Sequence, residues 1–437
     1  MELTIEKLIY GGDGLAHLPP DEHGKGKAVF VPFVLPAERV DVTLSDSKPG
    51  FARARLNHVL QPSPARIEPA CPYFGQCGGC QYQQVPYEQQ VRIKSEILRE
   101  TLRRIAKLEF PGEIRAHPSL PWNYRNRSRM RVRTEPEFAI GYNRFASHAL
   151  LSVRECPISS PLINRALAAV WKLGEAASIP AGVTEIEFFA NAKDSELLLE
   201  VSVTPQRARE LLPVGEFAQA LRHELPNIVG VVPFRATANS SAVRIAGPKE
   251  QKANFGADCL RYRAAQAEYR VSAGSFFQAN RFLLDEMVAL VTDGRSGGFA
   301  LDLYAGVGLF SLALAQNFRQ VAAVESSESS FSDLRANLPR NAAAYRTDVQ
   351  SFLTQVPSET RFDCVVLDPP RGGLGEKVAR AVAAMKAQHL AYVSCDPATL
   401  ARDLGILNAA GYRIREIHLL DLFPQTFHIE TLVALER

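Results

Sequence analysis

The chain has little that would mark it for a membrane or the cell exterior. None of its apolar runs is long enough to span a bilayer as a helix. No stretch resembling a signal peptide precedes the first strand-like segment, so the expectation is a soluble, cytoplasmic protein. Cysteine is scarce and odd in number, 7 in 437 residues. That argues against a disulfide framework and for metal binding and catalysis. Neither sign of charge is in large excess: the formal net charge is +3, which alone points neither to nucleic acid nor to an acidic partner. Any basic surface must come from local clustering. Internal repeats and low-complexity tracts are absent from the sequence.

What is present is ample apolar material, 46% of residues. At this length it should build two or three domains rather than one. The pattern is organised around Cys395. The run His389-Leu390-Ala391-Tyr392-Val393 reads as a buried strand. Asp396-Pro397 ends it, and Leu400, Leu404 and Leu407 have helical spacing. Cys395 therefore falls at the carboxyl end of a strand, where open α/β sheets bind ligands. A helix N-terminus there is expected to favour thiolate over thiol. The alternative is a small buried hydrophobe, the usual fate of a free cysteine.

Residues 1–62 alternate as short strands: Leu3 to Leu8, Lys27 to Phe33, Val40 to Leu44 and Phe51 to Val59, with a Gly11-Gly12-Asp13-Gly14 turn. This pattern fits a small β-barrel and resembles a TRAM domain, an OB-like RNA-binding barrel. Gln61-Pro62-Ser63-Pro64 reads as a linker.

Residues 63–265 are expected to form an α+β central domain. Cys71, Cys77 and Cys80 stand in a C-x-x-x-x-x-C-x-x-C pattern, and Cys156 lies far along the chain. Four thiolates suit zinc or a 4Fe–4S cluster. A zinc ribbon would show two C-x-x-C knuckles and there is one, so the pattern favours a structural 4Fe–4S cluster. Tyr87 to Leu108 reads as an amphipathic helix. Then Arg125, Arg127, Arg129, Arg131 and Arg133 alternate. On a strand all five would share one face, and a phosphate backbone is the obvious anion to answer them; some could instead serve intramolecular pairs.

Residues 266–437 alternate strands and helices and end in a hairpin, which indicates a doubly wound, Rossmann-like sheet. Asp302-Leu303-Tyr304-Ala305-Gly306-Val307-Gly308 joins a buried strand to a helix. Ser311 stands where a dinucleotide fingerprint would place its third glycine. Glu325 and Asp348 follow the next two strands. Acids at successive strand ends favour a nucleoside site, with Glu325 on a ribose and Asp348 on the adenine edge. Cys364 reads as core.

The chain resembles the iron–sulfur subgroup of RNA 5-methyluridine methyltransferases over nearly its whole length. The carrying residues are the four cysteines, Ser275-Phe276-Phe277-Gln278-Ala279-Asn280, Asp302 to Gly308, Asp368-Pro369-Pro370-Arg371, Ser394 to Asp403, and Phe423 to Glu430. The family more often has Asn at the position of Asp396 and Val at that of Ala279. The resemblance implies S-adenosylmethionine as methyl donor, with Gln278, Asp302, Tyr304, Gly306, Glu325, Asp348 and Asp368 around it. It implies Cys395 as nucleophile, Glu430 as base and Asp368 as the group that orients the uracil. It also implies that the helix over 87–108 docks on the catalytic domain, and a 23S ribosomal RNA substrate, with transfer RNA as the alternative. A monomer is expected.

Carbon 5 of uracil is too poor a nucleophile to take a methyl group unaided. A thiolate added at carbon 6 makes an enolate whose charge reaches carbon 5, which is why the chemistry wants a cysteine. A base must then remove the carbon 5 proton so that the cysteine can leave. A uracil in folded RNA must be turned out of its stack to reach such a site. Two other readings compete. RNA cytosine-5 methyltransferases usually carry a cysteine directly after the proline of the fourth-strand motif, where this chain has Pro370. A non-catalytic RNA-binding factor would not need the complete set of nucleophile, base and methyl-donor residues.

Overall fold

The computed structural model describes residues 1–19, 26–206, 212–236, 242–244 and 255–437. The first 61 residues form a six-stranded sheet from β1 (Glu2–Thr4), β2 (Lys7–Leu8), β3 (Asp13–His17), β4 (Ala28–Pro32), β5 (Arg39–Ser47) and β6 (Phe51–Gln61), in the order β1-β5-β6-β4-β3-β2. Alternation turns Val29, Val31, Val40, Val42, Ala52 and Ala54 inward, onto one core with Leu3 and Ile5. The single strand expected over 3–8 is two, broken at Ile5. The Gly11-Gly12 turn gives way to a strand at Asp13, one not read from the sequence.

The central sheet has seven strands: β8 (Arg127–Arg133), β9 (Ala139–Asn143), β10 (Leu150–Ser152), β11 (Val183–Ala190), β12 (Leu197–Val203), β13 (Ile228–Ala236) and β14 (Ala242–Arg244), following β7 (Ile114–His117), which lies elsewhere. Their order is β10-β9-β8-β11-β12-β13-β14. Helix Pro161–Glu175, with Pro at its start and the Ser160 hydroxyl accepting from the Ile163 N–H, covers one face. Leu162, Ala166, Leu167 and Val170 meet Ile186, Phe188 and Leu199 there.

The C-terminal sheet has eight strands. After the hairpin β15 (Cys259–Ala264) and β16 (Ala267–Ser272) come β17 (Gly297–Leu303), β18 (Phe318–Glu325), β19 (Ala342–Arg346), β20 (Cys364–Leu367), β21 (His389–Ser394), β22 (Arg413–Leu420) and β23 (Glu430–Glu436). The order is β19-β18-β17-β20-β21-β23-β22-β7, parallel from β19 to β21 with β23 antiparallel to both neighbours. Helices cover both faces, so β17, β20 and β21 are mainly apolar: Leu301, Val365, Leu367, Leu390 and Tyr392 face one core, and Ala300, Cys364, Val366, Ala391 and Val393 the other. Cys364 is core, as its neighbours implied.

The expected division at residue 265 does not follow the packing. β7, drawn from the 63–265 span, pairs in parallel with β22. Helix Tyr87–Thr101 lies on the C-terminal domain: Ile97 and Leu98, with Leu102 just beyond the helix, share a core with Leu400, Leu404 and Leu407 of helix Pro397–Ala409. Leu260, Tyr262, Tyr269 and Val271 of the β15–β16 hairpin join the core on the other face of the C-terminal sheet. Their apolar faces find partners there, as the resemblance implied for the helix over 87–108; sequence order gave no sign of it for β7 and the hairpin. Among the described residues no helix is long and apolar enough to cross a membrane.

Candidate active site

Four strand ends bring the chemistry together. Cys395 follows β21, and Asp396 caps the helix after it, its carboxylate accepting from the N–H groups of Ala398 (3.0 Å) and Thr399 (2.9 Å). Such a cap stabilises a helix by about 1 kcal/mol. It also fills the helix terminus with a negative charge. The terminus therefore does not favour the Cys395 thiolate as expected. Burial pushes the thiol up to about 11, with the charges of Glu430 and Asp368 adding, while Arg371 pulls the other way.

Asp368 follows directly on β20 and Glu430 begins β23. Burial, then the charge of Asp302, raises Asp368 to about 7. Glu430 is 3% exposed, and burial followed by the charge of Asp368 holds its carboxyl well above the usual range. Burial thus favours its protonated form; the resemblance gives it the role of base. Arg371 lowers both Glu430 and Cys395. Its place among the site residues was missed, although the Asp-Pro-Pro-Arg motif contained it.

Asp403 ties these loops together. Its carboxylate accepts from the Leu374 N–H (2.7 Å) and the Tyr392 hydroxyl (2.7 Å), and Arg402 bonds both Asp403 and the Gly372 carbonyl. The Asp368–Gly372 loop is thereby fixed against the helix that follows Cys395.

The loop from Asp421 to Ile429 is built from outside the catalytic domain. Gln90 exchanges two hydrogen bonds with Gln425, each 2.9 Å. The N–H groups of Gln81 and Tyr82 both donate to the Gln425 carbonyl, and the Tyr124 hydroxyl donates to that of Pro424. Gln425 itself has φ 68°, so the loop is held in a turn that two other segments dictate. His428 lies between Phe423 and Phe427. Burial and the charges of Arg371, Lys94 and Arg125 lower it to about 3, which leaves the ring neutral.

Beside these groups, the β17 turn opens a cradle. Tyr304, Gly306 and Gly308 all have positive φ (64°, 56° and 94°). A Cβ on Gly308 would stand 2.9 Å from Leu334 Cδ1, while the space over Gly306 is open. The Gly306 N–H donates to Glu325 at 2.9 Å. Asp302 is buried, accepts from the Ser311 hydroxyl and keeps one oxygen, Oδ1, without a partner. Burial raises it to about 7, with Glu325 adding. The charges of Asp348 and Asp403 both reach Tyr304. Asp348 is exposed and caps helix Val349–Gln355 through the Ser351 N–H. Gln278 is buried on the segment before Asn280. That segment is pinned by Asp333, which accepts from Ser272 and Ser275, and by Glu200, which accepts from the Gly274 N–H. An open glycine turn, an unpartnered carboxylate oxygen and a row of acids fit a cationic nucleoside such as S-adenosylmethionine.

Cys71, Cys77, Cys80 and Cys156 line one cavity of about 200 Å³ with Tyr73, Phe74, Tyr142 and Ile158. The Gly79 N–H reaches Cys77 Sγ at 3.4 Å, and Asn164 holds the Cys156 backbone by two hydrogen bonds. No three His, Cys, Asp or Glu side chains among the described residues converge as ligands of a single metal ion. Four thiols around one shared space are the ligand type that zinc or an iron–sulfur cluster would take.

The arginine row differs from its expectation. The strand begins at Arg127; Arg125 precedes it, and its guanidinium is half-buried and bonds the Arg127 carbonyl. Acids do answer the row, from the neighbouring strands β11 and β12: Arg127 pairs with Glu187 and with Glu200 (3.1 Å), and Arg129 with Glu187 (2.6 Å). Arg127 also bonds the Ser275 carbonyl. Arg129, Arg131 and Arg133 remain exposed. Cross-strand partners were hidden because β11 lies some fifty residues on in sequence.

Comparison with known proteins agrees with this geometry. Residues 86–350 and 353–437 match the family model of tRNA (Uracil-5-)-methyltransferase, and residues 1–56 match that of the TRAM domain. An "Uncharacterized RNA methyltransferase" of Aquifex aeolicus (strain VF5) is 32% identical over 449 residues, covering 100% of this chain and 98% of that one. A 23S rRNA (uracil(1939)-C(5))-methyltransferase of Alkalilimnicola ehrlichii is 30% identical over 450 residues, covering 100% of this chain and 96% of that one. The crystal structure of Pyrococcus abyssi tRNA (uracil-54, C5)-methyltransferase with S-adenosyl-L-homocysteine shares the fold, with TM-score 0.74 at 24% identity and full coverage of both chains. The chain thus belongs to the tRNA (uracil-5-)-methyltransferase family of S-adenosylmethionine-dependent RNA methyltransferases.

Proposed function

We propose that this enzyme methylates carbon 5 of a uridine in 23S ribosomal RNA, acting as a cytoplasmic monomer, through a covalent bond between Cys395 and carbon 6. The supporting observation is the grouping of a thiol with two carboxyls and a guanidinium: Asp368, Arg371 and Glu430 all act electrostatically on Cys395. The ribosomal substrate rests on relatives such as the Alkalilimnicola enzyme, whose name specifies that RNA.

The resting protonation states set the order of events. Cys395 Sγ bonds carbon 6 while its proton passes to Asp368, which is partly ionised near neutrality; the electron pair moves to oxygen 4 as an enolate. Glu430, whose protonated form burial favours, donates a hydrogen bond to that oxygen. S-adenosylmethionine, held by Asp302, Glu325, Gly306, Tyr304, Asp348 and Gln278, supplies a methyl group that carbon 5 can attack. Once the enolate charge is spent, Glu430 releases its proton to water. Its carboxylate then takes the carbon 5 proton, the carbon 6–sulfur bond breaks, and the Cys395 thiolate recovers the proton from Asp368. One proton is released per methyl group. Asp368 also orients the uracil ring.

The four cysteines hold a 4Fe–4S cluster in this reading. The segment after Cys80 donates two backbone hydrogen bonds to Gln425, so the cluster's place is to order the loop that leads to Glu430. Exposed Arg129, Arg131 and Arg133 and the N-terminal barrel supply contacts to the RNA backbone.

Mapping 5-methyluridine by mass spectrometry in ribosomal and transfer RNA from cells carrying Cys395→Ala tests this reading. Loss at one 23S uridine is expected. Loss only in transfer RNA overturns the substrate, and unchanged 5-methyluridine in both pools overturns the uracil chemistry.

A further inference from the structure

The tip of the β2–β3 turn reaches the catalytic loop from a different domain. The turn is tight: Gly12 N–H donates to the Ile9 carbonyl and Ile9 N–H to that of Asp13. Gly11 and Gly12 have φ of 107° and 91°, a conformation that side chains with a Cβ rarely adopt. A Cβ on Gly12 would come within 2.9 Å of Gln81 and 3.4 Å of Phe427. The turn is therefore pressed onto the segment after Cys80 and onto the loop before Glu430. Around it, Leu8 and Leu35 share a small core with Tyr82, Val85 and Phe427.

Tyr10 is the residue this turn delivers. Its ring meets Phe427 edge-on, centroids 5.6 Å apart. Its hydroxyl donates to the carbonyl oxygen of Cys395 at 3.3 Å. The Asp396 carboxylate and the Cys395 thiol both act on the same hydroxyl. Burial, then the Asp396 carboxylate, keeps Tyr10 protonated, so it serves as a donor.

We propose that Tyr10 is a positioning residue for Cys395. By bonding the carbonyl of the Cys395–Asp396 peptide, the barrel fixes the peptide from which the nucleophile projects. Asp396 is held by the helix it caps, and its N–H and carbonyl both contact Ser394 Oγ, but the Cys395 carbonyl lies at the last turn before the helix. A hydroxyl donated from the barrel sets its direction, and with it the approach of Sγ to carbon 6. The barrel then does more than hold RNA: its seating on the catalytic domain is part of the geometry of attack. A misplacement of about 1 Å in near-attack geometry can cost about 10²-fold, so one hydrogen bond at this peptide has kinetic weight.

The inference rests on Cys395 being the nucleophile, and the test separates the two. Wild type, Tyr10→Phe, Cys395→Ala and Tyr10→Phe/Cys395→Ala are mixed with 23S ribosomal RNA and transfer RNA transcripts made with 5-fluorouridine. The rate of covalent adduct formation is measured on whichever transcript traps the wild type. Reversible RNA binding is measured in the two Cys395→Ala backgrounds, and thermal stability in all four. Tyr10→Phe keeps the ring against Phe427 and removes only the hydroxyl. The expected result is adduct formation slowed roughly threefold to tenfold, the weight of one hydrogen bond, with RNA affinity and stability unchanged. Adduct formation at the wild-type rate overturns the proposal. So does a slowing matched by an equal loss of RNA affinity or of stability, since either would make Tyr10 an RNA contact or a packing residue. Failure of the wild type to form any adduct overturns Cys395 as nucleophile instead.

Discussion

Lys94 and Asp421 stand 2.6 Å apart, Nζ to Oδ1, with neither side chain exposed. Lys94 also donates to the Phe423 carbonyl at 3.0 Å. The ammonium belongs to helix Tyr87–Thr101 and the carboxylate to the start of the loop that ends at Glu430. A pair joining residues 327 apart in sequence thus fixes where the catalytic carboxyl begins its strand. Burial lowers the Lys94 ammonium and the Asp421 charge acts to raise it again, so each charge depends on the other.

Removing one partner should therefore be costly. Lys94→Met leaves Asp421 buried and unpaired, and is expected to destabilise the protein by about 3–5 kcal/mol. Lys94→Met/Asp421→Leu should recover most of that loss, because a matched apolar pair carries no desolvation cost. Denaturant melts of the single and double variants check this. A single variant as stable as the parent would mean the pair does not hold the loop.

Glu430→Gln should separate attack from release. Glutamine keeps the hydrogen-bond donor that the neutral acid provides but cannot take a proton. Attack and methyl transfer should proceed, while turnover falls by a factor of about 10² to 10⁴, the usual range for a lost general base. An RNA adduct that survives denaturing electrophoresis should accumulate with ordinary RNA and S-adenosylmethionine. Normal turnover would remove Glu430 from the reaction.

Binding of S-adenosylmethionine should depend on pH through Asp302. Its carboxyl is raised to about 7, so the free enzyme holds a proton there below neutrality. The cationic ligand prefers the carboxylate, so that proton must leave on binding. Affinity is expected to rise from pH 6 to pH 8, by up to roughly tenfold at one pH unit below the carboxyl's midpoint, and to level off above it. Calorimetry on the parent and Asp302→Asn checks this. The asparagine variant should bind more weakly and show a flatter profile.

Anaerobically purified protein should contain iron and sulfide, about four of each per chain for a 4Fe–4S centre, and absorb broadly in the visible. Cys80→Ser should lose that absorption together with stability of the Gln425 loop, read as faster proteolysis there. Zinc at one ion per chain, without sulfide, would overturn the cluster assignment.

The placement of these residues was legible because they sit in contiguous motifs. Cys395, Asp368, Glu325 and Asp302 each lie at a strand end in the chain's own order, and the turn Gly306–Gly308 has the positive φ that its glycines announced. Alternation in β8 was also readable, yet its meaning was not: Glu187 and Glu200 answer Arg127 from strands that only pairing brings near. Protonation was equally hidden. A helix start suggested a thiolate, but Asp396 occupies that terminus itself and burial keeps the thiol. Tyr10 and Lys94 carry no motif. Their roles come from docking between segments more than 300 residues apart, which no short-range pattern records.

The most direct test of the central claim is peptide mapping of the protein trapped on 5-fluorouridine RNA. After nuclease and protease digestion, the account places a nucleotide mass on the peptide containing Cys395 and on no other cysteine peptide. A nucleotide on a different cysteine, or an unmodified Cys395 peptide from an enzyme that still makes 5-methyluridine, would contradict it.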